Sequence, residues 1–358
     1  MLLLPNDNLG GAEQYLKMVA EYLKNKSYHV DVYFLKKRIT GAWEHLANDK
    51  VKLYYTKKRT EKYGALSVFF KFLFKNRKQY DYIFTSHIHI NSFVDILRRL
   101  RLINSEWHIA RESTSIYSRY SGFKLKIFDF YYRIGYNKTD LIICQTDFMF
   151  RQLINGAPFL LKRRNIVVIP NPVNLNILKS NYSDQNFQYS NYIVSAGRLI
   201  PEKGFEILID AFQGLNFIYP TLKLIILGEG DLREQLQQKI FSLDLQHNVI
   251  MPGFVDNVYS YFKNAEVCVV SSIIEGFPNV LLQMMSQNDK VVSTLCAGGI
   301  EEIEGVVTCP TNDSKKLLEA INTIIYKDKT SNRLVFNEEL SNRSIDRFIE
   351  KVKESLTF

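Results

Sequence analysis

Along the whole chain, apolar runs of four to eight residues alternate with segments of helical periodicity, and no other feature restricts the fold as strongly. Residues 28–35, 82–85, 107–110, 141–144 and 166–169 are short and rich in β-branched or aromatic side chains, as strands are. The opening run from Met1 to Leu4 ends at Pro5, too soon for a signal peptide, and reads as a further buried strand. Helical patterns such as 12–24 and 90–102 lie between these runs. The alternation resumes at 192–196, 222–227, 249–252, 267–271 and 290–294. A strand that follows a helical crossover lies parallel to its predecessor. The pattern therefore predicts α/β architecture, with parallel sheets covered by helices on both faces.

At roughly 100–200 residues per domain, 358 residues make two such sheets. The seam falls at 170–189. Pro170-Asn171-Pro172 cannot continue a strand interior, and residues 179–189 are polar and aperiodic. The expected division is an N-terminal domain at 1–172, a linker at 173–189 and a C-terminal domain at 190–335. A last helix, 336–358, is expected to pack back toward the N-terminal domain. Ligands of open parallel sheets gather at the C-terminal ends of the strands, so those ends are expected to line a cleft between the domains.

Charge is spread unevenly. Residues 1–180 hold 30 Lys and Arg against 14 Asp and Glu, a net +16, while the remainder is net −7. An asymmetry on the scale of a domain points to an anionic partner for the first half, beside the plain reading of a solubilising surface. No nucleic-acid-binding motif accompanies the charge, which disfavours nucleic acid and leaves an anionic membrane leaflet. No run of 18 apolar residues is present, so no transmembrane helix is predicted. Cys144, Cys268, Cys296 and Cys309 lie in or beside apolar runs at no metal-ligand spacing. They read as buried free thiols of a cytoplasmic protein.

Two segments carry chemistry. Residues 195–204 read Ser-Ala-Gly-Arg-Leu-Ile-Pro-Glu-Lys-Gly and run from a strand into a helix. Gly197 permits a sharp exit, and Arg198 and Lys203 share the loop, where two cations can neutralise a diphosphate. Residues 271–285 read Ser-Ser-Ile-Ile-Glu-Gly-Phe-Pro-Asn-Val-Leu-Leu-Gln-Met-Met. Here a strand ends near Ser271 and a helix starts near Asn279, presenting free backbone N–H groups to phosphate or sugar oxygens. Glu275 lies on the loop and Gln283 one turn into the helix, both able to reach one cavity.

Together with Leu-Gly-Glu-Gly at 227–230, Pro-Gly-Phe at 252–254 and Gly298-Gly299, these segments resemble the group 1, or family 4, glycosyltransferases. The resemblance reaches the N-terminal half through Gly10-Gly11-Ala12-Glu13 and Ile169-Pro170-Asn171-Pro172-Val173. It implies the GT-B fold of two Rossmann-like domains and a retaining, metal-independent hexosyl transfer. The donor would be a nucleoside-diphosphate sugar, UDP- or GDP-linked, and no cofactor is implied. The acceptor would be a growing glycan or a lipid-linked one in bacterial surface polysaccharide synthesis, such as capsule or O-antigen. Residue by residue, Arg198 and Lys203 match the pair that grips the donor diphosphate, and Glu275 the carboxylate that holds the sugar hydroxyls; these three are the catalytic candidates. Gly11, Gly228, Phe254, Gly276, Phe277, Pro278, Asn279, Val280 and Gln283 match donor-binding positions. Gln283 stands where the family has a second glutamate, so weaker ribose binding is expected. Asn288 and Lys290 replace the family's Gly and Pro in the next turn, a structural change of small expected consequence.

In the N-terminal domain, His87, Arg111 and Glu112 follow strands and are candidates for the acceptor side or for catalysis, whereas His108 reads as structural. Lys57-Lys58-Arg59 precede an aromatic helical stretch at 63–78, which suits either core packing or docking on an anionic leaflet. Arg98, Arg99, Arg101 and 162–164 add to the same field. Peripheral attachment to the inner face of the membrane is the expectation. Two other readings stay open: a non-catalytic sugar-nucleotide-binding protein, motivated by Gln283, and another GT-B enzyme such as a sugar-nucleotide epimerase.

Overall fold

The computed structural model describes residues 1–74, 78–162, 165–175, 188–325 and 332–357. The chain forms two units, Met1–Val173 with Arg343–Phe358 and Asn174–Asn342.

The first unit is built on a seven-stranded parallel sheet: β1 (Leu2–Leu4), β2 (Val30–Phe34), β3 (Val51–Tyr55), β4 (Gln79–Ser86), β5 (Asn104–Arg111), β6 (Leu141–Cys144) and β7 (Asn165–Val168). Their order is β3-β2-β1-β4-β5-β6-β7, which reverses direction between β1 and β4. Among the described residues six α-helices connect them: α1 (Gly11–Asn25), α2 (Glu61–Phe74), α3 (Ile88–Arg99), α4 (Ile116–Arg119), α5 (Gly122–Gly135) and α6 (Asp147–Gly156). Pleating sends Leu2 and Leu4 to one face, with Tyr15, Leu16 and Val19 of α1, and Leu3 to the other, with Val68 and Val94. A strand covered on both faces must be apolar throughout, which is why Leu2, Leu3 and Leu4 are all fully buried. α2 presses Gly64 on the sheet so closely that a Cβ there would lie 1.7 Å from the Leu35 carbonyl oxygen.

The second unit repeats the plan with six parallel strands: β8 (Tyr192–Ala196), β9 (Lys223–Leu227), β10 (Val249–Gly253), β11 (Val267–Val270), β12 (Val291–Thr294) and β13 (Val307–Cys309). The order β10-β9-β8-β11-β12-β13 reverses between β8 and β11. Around it lie α7 (Phe205–Ile218), α8 (Arg233–Ser242), α9 (Val258–Asn264), α10 (Asn279–Gln287), α11 (Ser314–Ile325) and α12 (Asn332–Asn342). Ile193, Leu224, Ile226, Val267 and Val269 meet Leu208, Phe212 and Ile321 in the core.

The last helix, α13 (Ile345–Leu356), returns to the first unit. Phe348 stands edge-on to Tyr15 at 5.4 Å, and Val173 N–H donates to the Arg343 carbonyl oxygen at 2.8 Å. The terminal segment therefore begins at 343 rather than 336. Residues 332–342 stay with the second unit because Phe336 and Leu340 are buried there. Arg333 also donates to Met285, Ser286 and Asn288 carbonyl oxygens. Of the expected linker, 176–187 lie outside the described residues. β3 and the three-residue β13 are strands that periodicity alone passes over.

Candidate functional site

In the second unit, the loops leaving β8 and β11 meet where the strand order reverses, the place at which open α/β sheets bind ligands. Three glycines make this meeting possible. Gly197 N–H donates to the Leu227 carbonyl oxygen at 2.9 Å, and Gly228 sits at φ +128°, where a Cβ would lie 2.0 Å from the Gly197 oxygen. Gly204, at φ +63°, comes equally close to the Ser271 oxygen, 2.2 Å from a would-be Cβ. Side chains are thus excluded at both positions, by contact with backbone and by φ.

Further bonds tie the two loops. Ser271 Oγ donates to the Lys203 carbonyl oxygen at 2.9 Å, and Ile273 N–H to that of Glu202 at 2.8 Å. Lys203 Nζ then donates to Glu275 Oε1 in an ion pair, each side chain being 18% exposed. Ser272 Oγ donates to the same carboxylate oxygen at 2.9 Å, and Glu275 N–H is fixed on the Cys296 carbonyl oxygen at 2.8 Å. Arg198 is exposed on the same loop, and its guanidinium makes no ion pair among the described residues. Pro278 precedes α10, whose first turn holds Asn279 and Val280 and whose N-terminus carries the partial positive charge of the helix dipole. Phe277 and Pro278 are buried, Gly276 and Gln283 half-buried. Phe254, by contrast, is 76% exposed just beyond Gly253, whose carbonyl oxygen accepts from Gly228 N–H at 2.9 Å.

Asn288 and Lys290 do more than the sequence suggests. Asn288 Nδ2 donates to the Phe262 and Ala265 carbonyl oxygens at 2.7 and 2.8 Å, its Oδ1 accepts from Lys290 N–H at 2.9 Å, and Lys290 Nζ reaches the Ile325 oxygen at 2.7 Å. Side-chain hydrogen bonds hold this turn.

The first unit has a matching arrangement at its own reversal, between β1 and β4. Glu13, in the first turn of α1, lies beside His87, the residue after β4, with Oε1 3.1 Å from Nε2. Ser113 Oγ stands 3.5 Å from Nδ1 on the far side of the ring. Gly11 is exposed at the start of α1. The neighbouring His89 contacts Glu61 at 3.3 Å. His89 and Lys36 together pull the Glu61 carboxyl down to about 2. Sequence reasoning singled out His87 and passed over Glu13, although Glu13 closes the Gly-Gly-Ala-Glu segment.

Arg111 and Glu112 are placed otherwise than expected. Both are 2% exposed, so the structure brings neither to the surface beside His87. Arg111 donates to Ser86 Oγ at 3.1 Å and to Asn171 Oδ1, and its guanidinium lies 4.6 Å over the Tyr15 ring. Glu112 accepts from the Tyr132 and Tyr136 hydroxyls at 2.7 and 2.6 Å, and burial pushes its carboxyl up. The reason is that β5 runs on to Arg111 and Glu112 N–H then bonds the Ile143 oxygen at 2.9 Å, which keeps the segment inside. His108 is buried against Thr85 Oγ1 at 2.9 Å.

α2 buries Gly64, Val68 and Phe72, yet Tyr63, Leu66, Phe70, Leu73 and Phe74 are exposed, next to exposed Lys57, Lys58, Arg59 and Lys62. α5 likewise exposes Phe123, Ile127 and Phe130. Arg98 and Arg99 are engaged internally, Arg98 with Asp140 at 2.8 Å and Arg99 with the Ile134 oxygen at 2.8 Å. Residues 75–77, 163 and 164 of the expected basic field lie outside the described residues. Among the described residues, no helix is long and apolar enough to cross a membrane.

The model for Glycosyl transferases group 1 matches residues 181–340, and that for Glycosyltransferase Family 4 matches residues 9–177. An uncharacterized glycosyltransferase of Methanocaldococcus jannaschii is 32% identical over 207 residues, 56% of this chain and 50% of the relative. The N-acetylgalactosamine-N,N'-diacetylbacillosaminyl-diphospho-undecaprenol 4-alpha-N-acetylgalactosaminyltransferase of Campylobacter jejuni is 28% identical over 198 residues, 54% of this chain and 53% of the relative. This chain thus spans about half the length of the curated relatives it matches. Among solved structures, Anabaena HepE in complex with UDP and glucose superimposes with a TM-score of 0.79 at 18% identity, covering 99% of this chain and 98% of that one. Sucrose-phosphate synthase from Thermosynechococcus elongatus gives 0.80 at 18% identity, with coverage of 99% and 96%. The fold is GT-B, and with one family model on each half the chain belongs to the group 1, family 4 glycosyltransferases.

Proposed function

We propose that this chain is a retaining, metal-independent glycosyltransferase. It moves a hexosyl unit from a UDP- or GDP-sugar to a hydroxyl of a glycan or lipid-linked acceptor in cell-surface polysaccharide synthesis. The observation that carries this reading is the Lys203–Glu275 pair, held where the strand order reverses and beside the start of α10. As the glycosidic bond breaks, negative charge grows on the leaving diphosphate. Lys203, held against Glu275, is a preoriented cation for that charge, and the exposed Arg198 and the positive end of the α10 dipole add to it. Glu275, already oriented by Lys203 and Ser272, accepts hydrogen bonds from sugar hydroxyls. The relatives support the acceptor class: the Campylobacter protein's name specifies a diphospho-undecaprenol acceptor, and the neighbouring HepE structure holds UDP and glucose.

The test is release of nucleoside diphosphate from a panel of UDP-, GDP- and ADP-sugars with lipid-linked and free glycan acceptors. Turnover with one donor, lost in Lys203→Ala, supports the reading, and the anomeric signal of the product reports retention. Nucleotide binding without turnover on any acceptor would instead favour a non-catalytic binding protein, the reading that Gln283 motivates. We further propose peripheral docking of the first unit on anionic membrane, through the exposed aromatic residues of α2 and α5 and the lysines beside them. Co-sedimentation with anionic liposomes should exceed that with neutral ones and weaken with salt; indifference to both refutes docking.

A further inference from the structure

His87 has a backbone conformation unlike that of any other described residue except glycine. Among the described residues six non-glycine ones have positive φ, and five of them lie between 53° and 67°, the ordinary left-handed region. His87 is at φ 120°, ψ 125°, a conformation that side chains with a Cβ rarely adopt. The strain is held in place: the His87 carbonyl oxygen accepts the first N–H bonds of α3, from Ile90 at 2.9 Å and Asn91 at 2.8 Å. Such strain persists where surrounding structure fixes it, and it clusters at functional sites. Here the surroundings include a second feature, the buried Glu13 carboxylate at 3.1 Å from Nε2. A third is the position itself, at the reversal of strand order between β1 and β4, the equivalent of the Lys203–Glu275 site in the second unit.

The tautomer follows from these contacts. An ionised carboxylate only accepts hydrogen bonds, so the nitrogen facing Glu13 carries the proton. In the neutral ring the other nitrogen, Nδ1, is then an acceptor. Its neighbour Ser113 Oγ stands at 3.5 Å, too far for a strong bond, which leaves Nδ1 able to take a better-placed hydroxyl. We infer that Glu13 is a positioning residue that holds His87 as the Nε2–H tautomer, so that Nδ1, on the Ser113 side, accepts a hydrogen bond from a substrate sugar hydroxyl. The inference rests on the glycosyl-transfer reading for the identity of that hydroxyl, but the tautomer itself does not. The His87–Glu13 contact is then an orienting bond within the site, and Ser113 marks where the substrate oxygen sits.

The experiment reads tautomer and kinetics separately. The protein has six histidines, so the His87 signals in a 15N-histidine spectrum at pH 8.5 are identified by their loss in His87→Gln. In the wild type His87 should be the Nε2–H form. Glu13→Ala should give a mixture of tautomers, and Glu13→Gln, whose amide oxygen still accepts, should restore the Nε2–H form. Turnover in Glu13→Ala should fall about tenfold or more, with the KM for donor changing much less and Glu13→Gln recovering part of the loss. An Nδ1–H ring in the wild type, or an unchanged tautomer in Glu13→Ala, overturns the inference whatever the activity. Loss of activity in Glu13→Ala with no recovery in Glu13→Gln, the tautomer being restored, also overturns it. Should Glu13→Ala unfold, Glu13→Gln against wild type carries both measurements. Absence of turnover in the wild type would fault the glycosyl-transfer reading and leave the tautomer result standing on its own.

Discussion

Lys203 and Glu275 stand 72 positions apart in the chain and meet as an ion pair at the reversal between β8 and β11. Neither strand places its residue alone. The pair forms because Gly204 and Ser271 bring their backbones into contact, after which Ser272 and the Cys296 carbonyl orient the carboxylate. Each side chain holds the other in the geometry that an incoming donor would meet, a form of preorganisation.

Lys203→Ala should lower turnover by about 10²-fold or more, since it removes a cation placed against the developing charge of the leaving group. Glu275→Gln should lower it as well, with the larger effect on binding of the sugar than of the free nucleotide. Steady-state kinetics together with calorimetry of the nucleoside diphosphate checks both. Wild-type rates in Lys203→Ala and Arg198→Ala would refute the diphosphate assignment.

Gln283→Glu should tighten nucleotide binding, because an ionised carboxylate makes stronger hydrogen bonds to ribose hydroxyls than an amide oxygen does. A several-fold lower Kd by calorimetry is expected. Weaker binding would mean that the half-buried Gln283 serves a ribose contact of another kind.

Gly228→Ala should destabilise the second unit by about 2 kcal/mol or more, since it combines unfavourable φ with a methyl carbon 2.0 Å from the Gly197 carbonyl oxygen. Thermal unfolding measures the loss. Nucleotide affinity should fall with it, because relief of the clash moves the Gly197–Arg198 backbone. A control at Gly122, at φ +60° where a Cβ meets nothing within 4 Å, should report only the smaller cost of the ordinary left-handed region.

Glu61 gives a pH prediction. His89 and Lys36 hold its carboxyl at about 2 against the usual 4.5, so the folded state binds this proton less readily than the unfolded one. Its contribution to stability is then complete above pH 4.5 and lost as pH falls from 4.5 toward 2. Denaturant unfolding of wild type and Glu61→Gln over that range should show the difference shrinking with acid. The group is partly solvated, so the effect is modest. A difference constant with pH would disprove the pairing.

Much of this molecule is legible from its one-dimensional pattern. Periodicity alone separates strand from helix because a side chain's exposure repeats every two residues in one and every 3.6 in the other. Strands such as Val267–Val270 and Leu141–Cys144 are apolar throughout because both sheet faces are covered, so the runs themselves announce parallel sheets. The loop residues Arg198, Lys203 and Glu275 are equally visible, since glycines and cations at strand ends stand out against apolar runs. Tertiary structure alone decided the rest. Which of His87, Arg111 and Glu112 faces outward depends on how far β5 extends and on what covers it, and Tyr132 of α5 and Tyr136 just past its end, 20 and 24 residues further along the chain, close over Glu112. Glu13 meets His87, 74 residues further along the chain, only when β1 and β4 become neighbours and bring its carboxylate to 3.1 Å from the ring. Local pattern fixes what each segment is, because it depends on a few neighbouring side chains. Which segments meet depends on strand order, a property of the whole sheet that no window of sequence contains.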